Sequence, residues 1–387
     1  MARRPIWPNR HDREEFMKKV LLVSGSLPPI RCGVGDYSAR LSQEMARQKV
    51  DFELLSTKGV NADVPAPMQT IRNWRIVSIP KMLSAIKRSQ AGIIHIQYPA
   101  VGYRRQLGIN LLPHALRIFR PRLKIIITLH EYHASRWVGR WRNLITVWPV
   151  HKIIVSNQTD KAALPARLRS KVQVIPIGAT FEAAKPDPDF YQKIMKANKL
   201  DLARPTLMFF GHAFPTKKLE LLLDAMAEPA LQNYQLLLIG SLDNKTAYQR
   251  MLRNKITELN QTNSRVASTG FLAGDKASAI MQAGKYFILP NDGPLSAKSS
   301  SAIAAVENEL IVISHGSSQP GDTTPFVHLK NCYLVKQPTP QTIAAAVDHL
   351  ESSPKEVEAI RQGATELKKY FSWNNIVKQH LKLYEEL

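Results

Sequence analysis

Three stretches of this chain set residues able to do chemistry directly after short apolar runs. The first, SLPPIRCGVGDYSARL (26–41), follows Val20-Leu21-Leu22-Val23 and carries Gly33-Val34-Gly35 ahead of an amphipathic pattern. Glycine there lets the backbone approach a ligand, and a helix beginning near Asp36 or Tyr37 would aim its free N–H groups at an anion such as a phosphate. The pattern is not G-x-G-x-x-G, because position 38 is serine, and no Gly-Lys-Ser/Thr follows; a phosphate loop and a plain tight turn both fit. The second, TLHEYHAS (128–135), places His130 at a strand end, able to hydrogen-bond a ligand hydroxyl or simply to close the strand. Its histidines are three apart rather than four and no third ligand is evident, so no metal is expected. The third, FFGHAFPTKKLELLLDAM (209–226), sets Lys217 and Lys218 near a helix start, where the dipole disfavours cations. They make sense there against a bound anion, or as a solvated pair.

The elements that must position these residues are short β-branched or leucine-rich runs alternating with longer helical patterns. Strands are predicted over 19–25, 51–57, 92–98, 124–130, 152–157 and 172–177. After a polar, proline-containing stretch the pattern restarts over 206–211, 234–240, 266–271, 285–290, 309–314 and 331–335. Near-continuous apolar runs suit parallel strands covered by helices on both faces, and the interrupted alternation predicts two doubly wound α/β domains. In such sheets ligands collect at the carboxyl ends of the strands, where the three stretches fall. The chain closes on ELKKYFSWNNIVKQHLKLYEEL, an amphipathic helix with Phe371, Trp373, Ile376 and Leu381 on its apolar side.

Charge narrows the partners. The 387 residues carry a net +22, and residues 1–150 hold 25 Lys+Arg against 9 Asp+Glu. Arginines interleaved with Trp, Leu and Phe in GYRRQLGINLLPHALRIFRPRLK and ASRWVGRWRN suit lipid headgroups or a phosphorylated substrate, or form a solvated basic face. Nucleic acid is not expected, since no zinc-finger spacing, RNP pattern or basic zipper accompanies the charge. Two cysteines, no apolar run near membrane-spanning length and no hydrophobic signal core in MARRPIWPNRHDREEF give the expectation of a cytoplasmic protein.

The blocks PPIRCGVGDYSARL, IIHIQYP, TLHEYH, KIIVSNQTDK, VIPIGA, FFGHAFPTKKLELLLDAM, LLLIG, STGFLAGDKASAIMQAG and FSWNNIVKQHLKLYEEL, in that order and spacing, resemble the retaining glycosyltransferases of the GT-B fold, glycosyltransferase family 4. The resemblance covers about residues 17–387. It implies an α/β protein of two Rossmann-like domains facing across a cleft. The implied layout is a flexible basic extension (1–16), an acceptor domain (17–180), a linker (181–204), a nucleotide-sugar domain (205–365) and a terminal helix (366–387) crossing back to the first domain. It further implies transfer of a sugar from a nucleoside diphosphate to an acceptor hydroxyl with retention, without a metal cofactor, in bacterial polysaccharide or glycolipid synthesis. The partners implied are a nucleotide-sugar donor, a glycan or lipid-linked acceptor and the anionic inner face of the cytoplasmic membrane.

Residue by residue, the resemblance puts Gly33, Val34 and Gly35 near the donor diphosphate and His130 against the transferred sugar. Gly211 and Lys217 match the second diphosphate loop, with His212 where the family has arginine and Lys218 where it usually has glycine. Gly240, Gly270, Phe271 and Leu272 fall in the region of the nucleotide base. The family's two glutamates, separated by seven residues, are missing. Asp292 stands for the first, as a catalytic residue beside His130, and Ser300 takes the place of the second, with Lys298 and Ser299 at the same helix start. Arg104, Arg105, Arg136 and Arg140 are the expected membrane or acceptor surface. An epimerase would need a carboxylate set that is not found; a catalytically degenerate homologue acting as a binding or scaffold protein stays open, because of the missing glutamates.

Overall fold

A central strand that reads Ile93-Ile-His-Ile-Gln-Tyr98 is buried along its whole length, which requires cover on both faces and neighbours on both edges. The computed structural model, which describes residues 18–387 except 31, 61–63, 134, 136, 244, 262–263 and 319–322, supplies both. The expected extension over 1–16 lies outside the described residues.

The chain forms two units, one comprising Met1–Pro176 with Trp373–Leu387, the other Ile177–Ser372. The first holds β1 (Val20–Ser24), β2 (Phe52–Thr57), β3 (Met68–Ile71), β4 (Ile93–Tyr98), β5 (Lys124–Leu129), β6 (Lys152–Val155) and β7 (Val172–Val174) in the order β3-β2-β1-β4-β5-β6-β7. All pairs are parallel; Val20 of β1 lies opposite Phe52 on one side and Ile93 on the other. The second holds β8 (Thr206–Phe210), β9 (Gln235–Ile239), β10 (Val266–Ser268), β11 (Tyr286–Leu289), β12 (Ile311–His315) and β13 (Tyr333–Val335), again parallel, in the order β10-β9-β8-β11-β12-β13. Strand order reverses between β1 and β4 and between β8 and β11. Those switch points are where an open parallel sheet offers a crevice at its carboxyl edge.

Three features depart from the sequence expectations. β3 was not predicted; its Met-Gln-Thr-Ile run sits at a sheet edge, only Ile71 is buried, and so it lacks the apolar signature of its neighbours. Residues 181–204, expected as a linker, contribute a helix (Pro188–Ala197) and bury Phe181, Met195 and Leu200 in the core of the second unit. The terminal helix is divided at Ser372, whose extended backbone separates Pro354–Phe371, in the second unit, from Trp373–Glu385, in the first.

The Trp373–Glu385 helix is fixed to the first unit by polar as well as apolar contacts. It buries Ile376, Val377, Leu383 and Tyr384 and packs against the Gly33–Arg47 helix, with the Tyr37 and Trp373 rings 5.3 Å apart. Gln48 Nε2 donates to Asn374 Oδ1 at 3.1 Å, and Lys152 pairs with Glu386 at 3.2 Å. His380, fully buried, donates from Nδ1 to the Ile376 carbonyl at 2.8 Å, with Tyr37 Oη 3.5 Å from its Nε2.

Burial lowers the His380 pKa to about 4 and pushes His95 well below the ordinary histidine range, the latter helped by the neighbouring His380 and His130. Both imidazoles are therefore neutral in the folded chain, whereas the unfolded chain protonates them near pH 6.5. Stability is complete above that pH and falls as the pH drops from about 6.5 towards 4, by on the order of 3 kcal/mol for His380 alone. Urea midpoints measured between neutral and mildly acidic pH should show this loss. His380→Leu, less stable at neutral pH because it strands the Tyr37 hydroxyl, should show a shallower acid dependence.

Candidate functional site

In the first unit the residues after β1 and β5 converge through one aromatic ring. The helix after β1 begins at Gly33, not at Asp36 or Tyr37 as its sequence suggests: Cys32 is the N-cap and the Asp36 amide already donates to the Cys32 carbonyl at 2.9 Å. Gly33-Val34-Gly35 thus form its first turn instead of the preceding loop. Gly35 is pressed on Ser26, 3.1 Å from where a Cβ would stand, which explains its lack of a side chain. A Cβ at Gly33 would meet nothing within 4 Å, so that side of the turn is open to a ligand. Tyr37, one turn on, meets His130 edge-on with ring centroids 5.0 Å apart.

His130 follows directly on β5 and is buried but for an edge. Its Nε2 donates to Gln97 Oε1 at 2.9 Å. Gln97 Nε2 in turn donates to His95 Nε2 at 3.1 Å, where Thr128 Oγ1 lies at 2.7 Å, and His95 Nδ1 reaches the Tyr384 hydroxyl at 2.7 Å. With the Gln97 amide donating, His95 carries its proton on Nδ1 and His130 carries one on Nε2, leaving Nδ1 as the acceptor of the His130 ring. A buried polar chain therefore runs from the terminal helix through the central strand to His130. Sequence reasoning missed His95, Gln97 and Tyr384, although the signal was present: two polar residues alternate inside an otherwise apolar run.

In the second unit the loops after β8, β9, β10 and β11 are interlocked. Gly211 has φ +123° and runs so close to the helix after β11 that a Cβ there would stand 2.9 Å from Ser301 Oγ. A Cβ on Gly240 would lie 2.4 Å from the Gly211 carbonyl oxygen, and Gly240 is bridged to Gly270. The Asp292 amide donates to the Thr216 carbonyl at 2.8 Å, and its carboxylate lies 3.6 Å from Lys218 Nζ. Gly211, Lys217, Lys218 and Asp292 therefore stand at the β8/β11 switch point. Lys217 is partly buried without a carboxylate partner among the described residues, and that desolvation holds its ammonium below the usual lysine range. Ser299 is the N-cap of the Ser300–Glu307 helix, yet it caps no amide and its hydroxyl is buried without a hydrogen bond. Lys298 precedes it.

The other expected residues are more scattered. His212 is exposed, its ring 5.6 Å from Phe214. It also contributes to holding Asp243 below the usual carboxylate range, chiefly the effect of Lys245 at 2.9 Å. Beside Gly240 a pocket of about 510 Å³ is lined by Ser241, Asp243, Arg253, Thr257, Ser268 and Gly270 among others. Phe271 is 80% exposed and Leu272 packs on the core edge. Arg104 and Arg105 lie exposed after the Val101–Tyr103 turn, Arg140 lies on the Trp137–Val147 helix, and Arg136 falls outside the described residues. Among the described residues no three His, Cys, Asp or Glu side chains cluster closely enough to hold a metal ion.

Over residues 190–367 the chain matches the family model described as glycosyl transferases group 1. Those residues, just under half of the chain, are similar to that family. Gly211, His212, Lys217, Lys218, Gly240, Asp292 and Ser299 all lie among them. No curated protein matches the chain in sequence. The whole fold is similar to that of a glycosyltransferase from Rickettsia africae ESF-5, with TM-score 0.76 and 15% identity, covering 96% of this chain and 98% of that one. It is also similar to Anabaena Alr3699/HepE in complex with UDP and glucose, with TM-score 0.71 and 17% identity, covering 96% and 100% of the two chains. Sucrose-phosphate synthase from Thermosynechococcus elongatus gives 0.69 and 18%, covering 95% and 98%. At these identities the likeness establishes the fold: two parallel-sheet α/β domains of the GT-B glycosyltransferase type.

Within the matched residues, Lys217 is a cation whose desolvation a bound anion would offset. Calorimetry with inorganic pyrophosphate should show binding that weakens as the pH rises through the lowered Lys217 pKa, before ordinary lysines titrate. Lys217→Ala should bind about tenfold more weakly or worse, and should lose that pH dependence.

Proposed function

We propose that the chain is a retaining glycosyltransferase that moves a hexose-type sugar from a nucleoside diphosphate to an acceptor hydroxyl. One observation carries the reading. A desolvated, unpaired Lys217, the Lys218–Asp292 pair and an uncapped helix start at Ser299 meet at the switch point within the residues similar to glycosyl transferases group 1. Each is suited to a diphosphate. Negative charge develops on the leaving phosphate as the glycosidic bond breaks, and preorganised cations and amides stabilise it there. Lys217 supplies a charge whose desolvation cost is offset once the anion arrives. Lys218 exchanges Asp292 for phosphate, and the released carboxylate then accepts hydrogen bonds from sugar hydroxyls.

His130, held by Gln97 through Nε2 at the carboxyl end of β5, stands where a sugar hydroxyl would be met. Retention is supported by the family resemblance of the loops. UDP is the base to test first, because the Anabaena neighbour is described with UDP and glucose. The acceptor class we assign is a glycan or lipid-linked glycan of bacterial envelope synthesis, made by a cytoplasmic enzyme; the two free cysteines, Cys32 and Cys332, agree with a reducing compartment.

A second reading, binding without turnover, is favoured by one observation: serine stands at position 300, where the family resemblance calls for a glutamate. Calorimetry against UDP, GDP, ADP and their sugars, followed by a donor-hydrolysis assay without acceptor, separates the two. The expected outcome is tight binding of one nucleotide class, reduced at least about tenfold in Lys217→Ala, with slow release of free sugar. Binding with no hydrolysis and no transfer would establish the second reading, and no binding to any of the three would remove both.

A further inference from the structure

The helix Trp137–Val147 is inside out. Its buried positions are Asn143, Thr146 and Val147, two of them polar. Asn143 Nδ2 donates to the Glu131 carbonyl at 3.0 Å, and Thr146 Oγ1 donates to the Arg142 carbonyl while accepting from Asn110 Nδ2, both at 2.7 Å. The outward positions are Trp137 at 74% exposure, Val138 at 51%, Trp141 at 63%, Ile145 at 44% and, just past the helix end, Trp148 at 44%. At 3.6 residues per turn these five fall within an arc of about 100°. The other described tryptophans, Trp74 and Trp373, are buried.

An apolar stripe of this kind on a soluble surface marks an interaction site. Its borders identify the partner. On the helical wheel the exposed Arg140 flanks the arc on one side, while Arg142 on the other turns inward to Asn110 Oδ1 at 3.1 Å, and the Arg167 guanidinium lies 4.0 Å over the Trp148 ring. Between residues 99 and 151 there are nine Lys or Arg and a single carboxylate, Glu131. Tryptophan prefers the headgroup level of a bilayer, with its ring in the acyl boundary and its N–H in the wet layer, and arginine stems snorkel towards phosphate. A protein partner would have to bury the same rings while supplying the acidic groups this surface lacks.

We propose that the Trp137–Val147 helix is an interfacial anchor that lies in the surface of an anionic bilayer, with Trp137, Trp141 and Ile145 inserted and Arg140 on lipid phosphate. No helix among the described residues is long and apolar enough to cross a membrane, so the attachment proposed is peripheral. It stands apart from the donor-site reading and is tested without turnover.

The full-length protein is mixed with vesicles of phosphatidylcholine alone or with phosphatidylglycerol, at low and high salt. Sedimentation gives binding, and quenching by brominated acyl chains gives insertion of tryptophan. The expected result is salt-sensitive binding to the anionic vesicles only, with quenched and blue-shifted fluorescence. W137S/W141S should weaken it about tenfold or more at an unchanged thermal midpoint, since both rings are exposed. Arg140→Glu should lower affinity at low salt and leave whatever binding remains at high salt nearly unchanged. The proposal is overturned by absence of binding to anionic vesicles, or by binding that W137S/W141S leaves intact. Concentration-dependent self-association that the double variant abolishes would likewise overturn it, by making a second copy of this chain the occupant.

Discussion

Two polar side chains in a strand of the first unit that is buried along its whole length have to find partners, and much of that unit is arranged around them. His95 and Gln97 alternate in β4, whose every residue is buried. An unpaired amide or imidazole there would cost roughly 1–3 kcal/mol. Thr128 from β5, Tyr384 from the terminal helix and His130 from the strand end meet that need. The requirement fixes a ring at the carboxyl edge of the sheet, so the stability of the core and the orientation of a candidate site residue are the same fact seen from two sides. A rigid, over-determined His130 is what a site needs if it is to receive a sugar hydroxyl without reorganising.

The second unit meets the opposite condition. Its polar groups at the β8/β11 crevice are left short of partners: Lys217 desolvated without a counter-ion, Ser299 buried without a hydrogen bond. Groups in that state raise the energy of the empty site and lower that of the occupied one, which is how a binding surface is distinguished from a merely charged one. The salt bridge between Lys218 and Asp292, by contrast, is largely solvated and adds little to stability.

The strands were legible because burial on both faces writes itself as an apolar run. Among the described residues, twelve of the thirteen strands overlap a stretch that hydrophobicity alone picks out, and the exception is the half-polar edge strand β3. The loops were legible as to place but less as to conformation. Gly33 and Gly35 read as a flexible loop because glycine is a poor helix former; packing on Ser26 and the Cys32 cap override that propensity. Residues 181–204 read as a linker because prolines and charges dominate, whereas Phe181, Met195 and Leu200, with Phe190, Tyr191 and Ile194 packed beside them, dock them on the core. What the sequence concealed altogether was partnership at long range. That Tyr384 meets His95 across 289 positions leaves no local trace in either segment.

That separation bears on how the protein comes into being. The first unit is interrupted: its sheet is complete by Pro176, but its last helix leaves the ribosome only after the 196 residues of the second unit. Until then His95 and Tyr37 face a groove with no occupant, and the polar chain to His130 lacks its far end. The second unit, uninterrupted in sequence, can close on itself during synthesis. The first cannot reach its native packing until the Trp373–Glu385 helix has been made, so that helix acts as a clasp, and a chain lacking it forfeits the ordering of a site more than two hundred residues away.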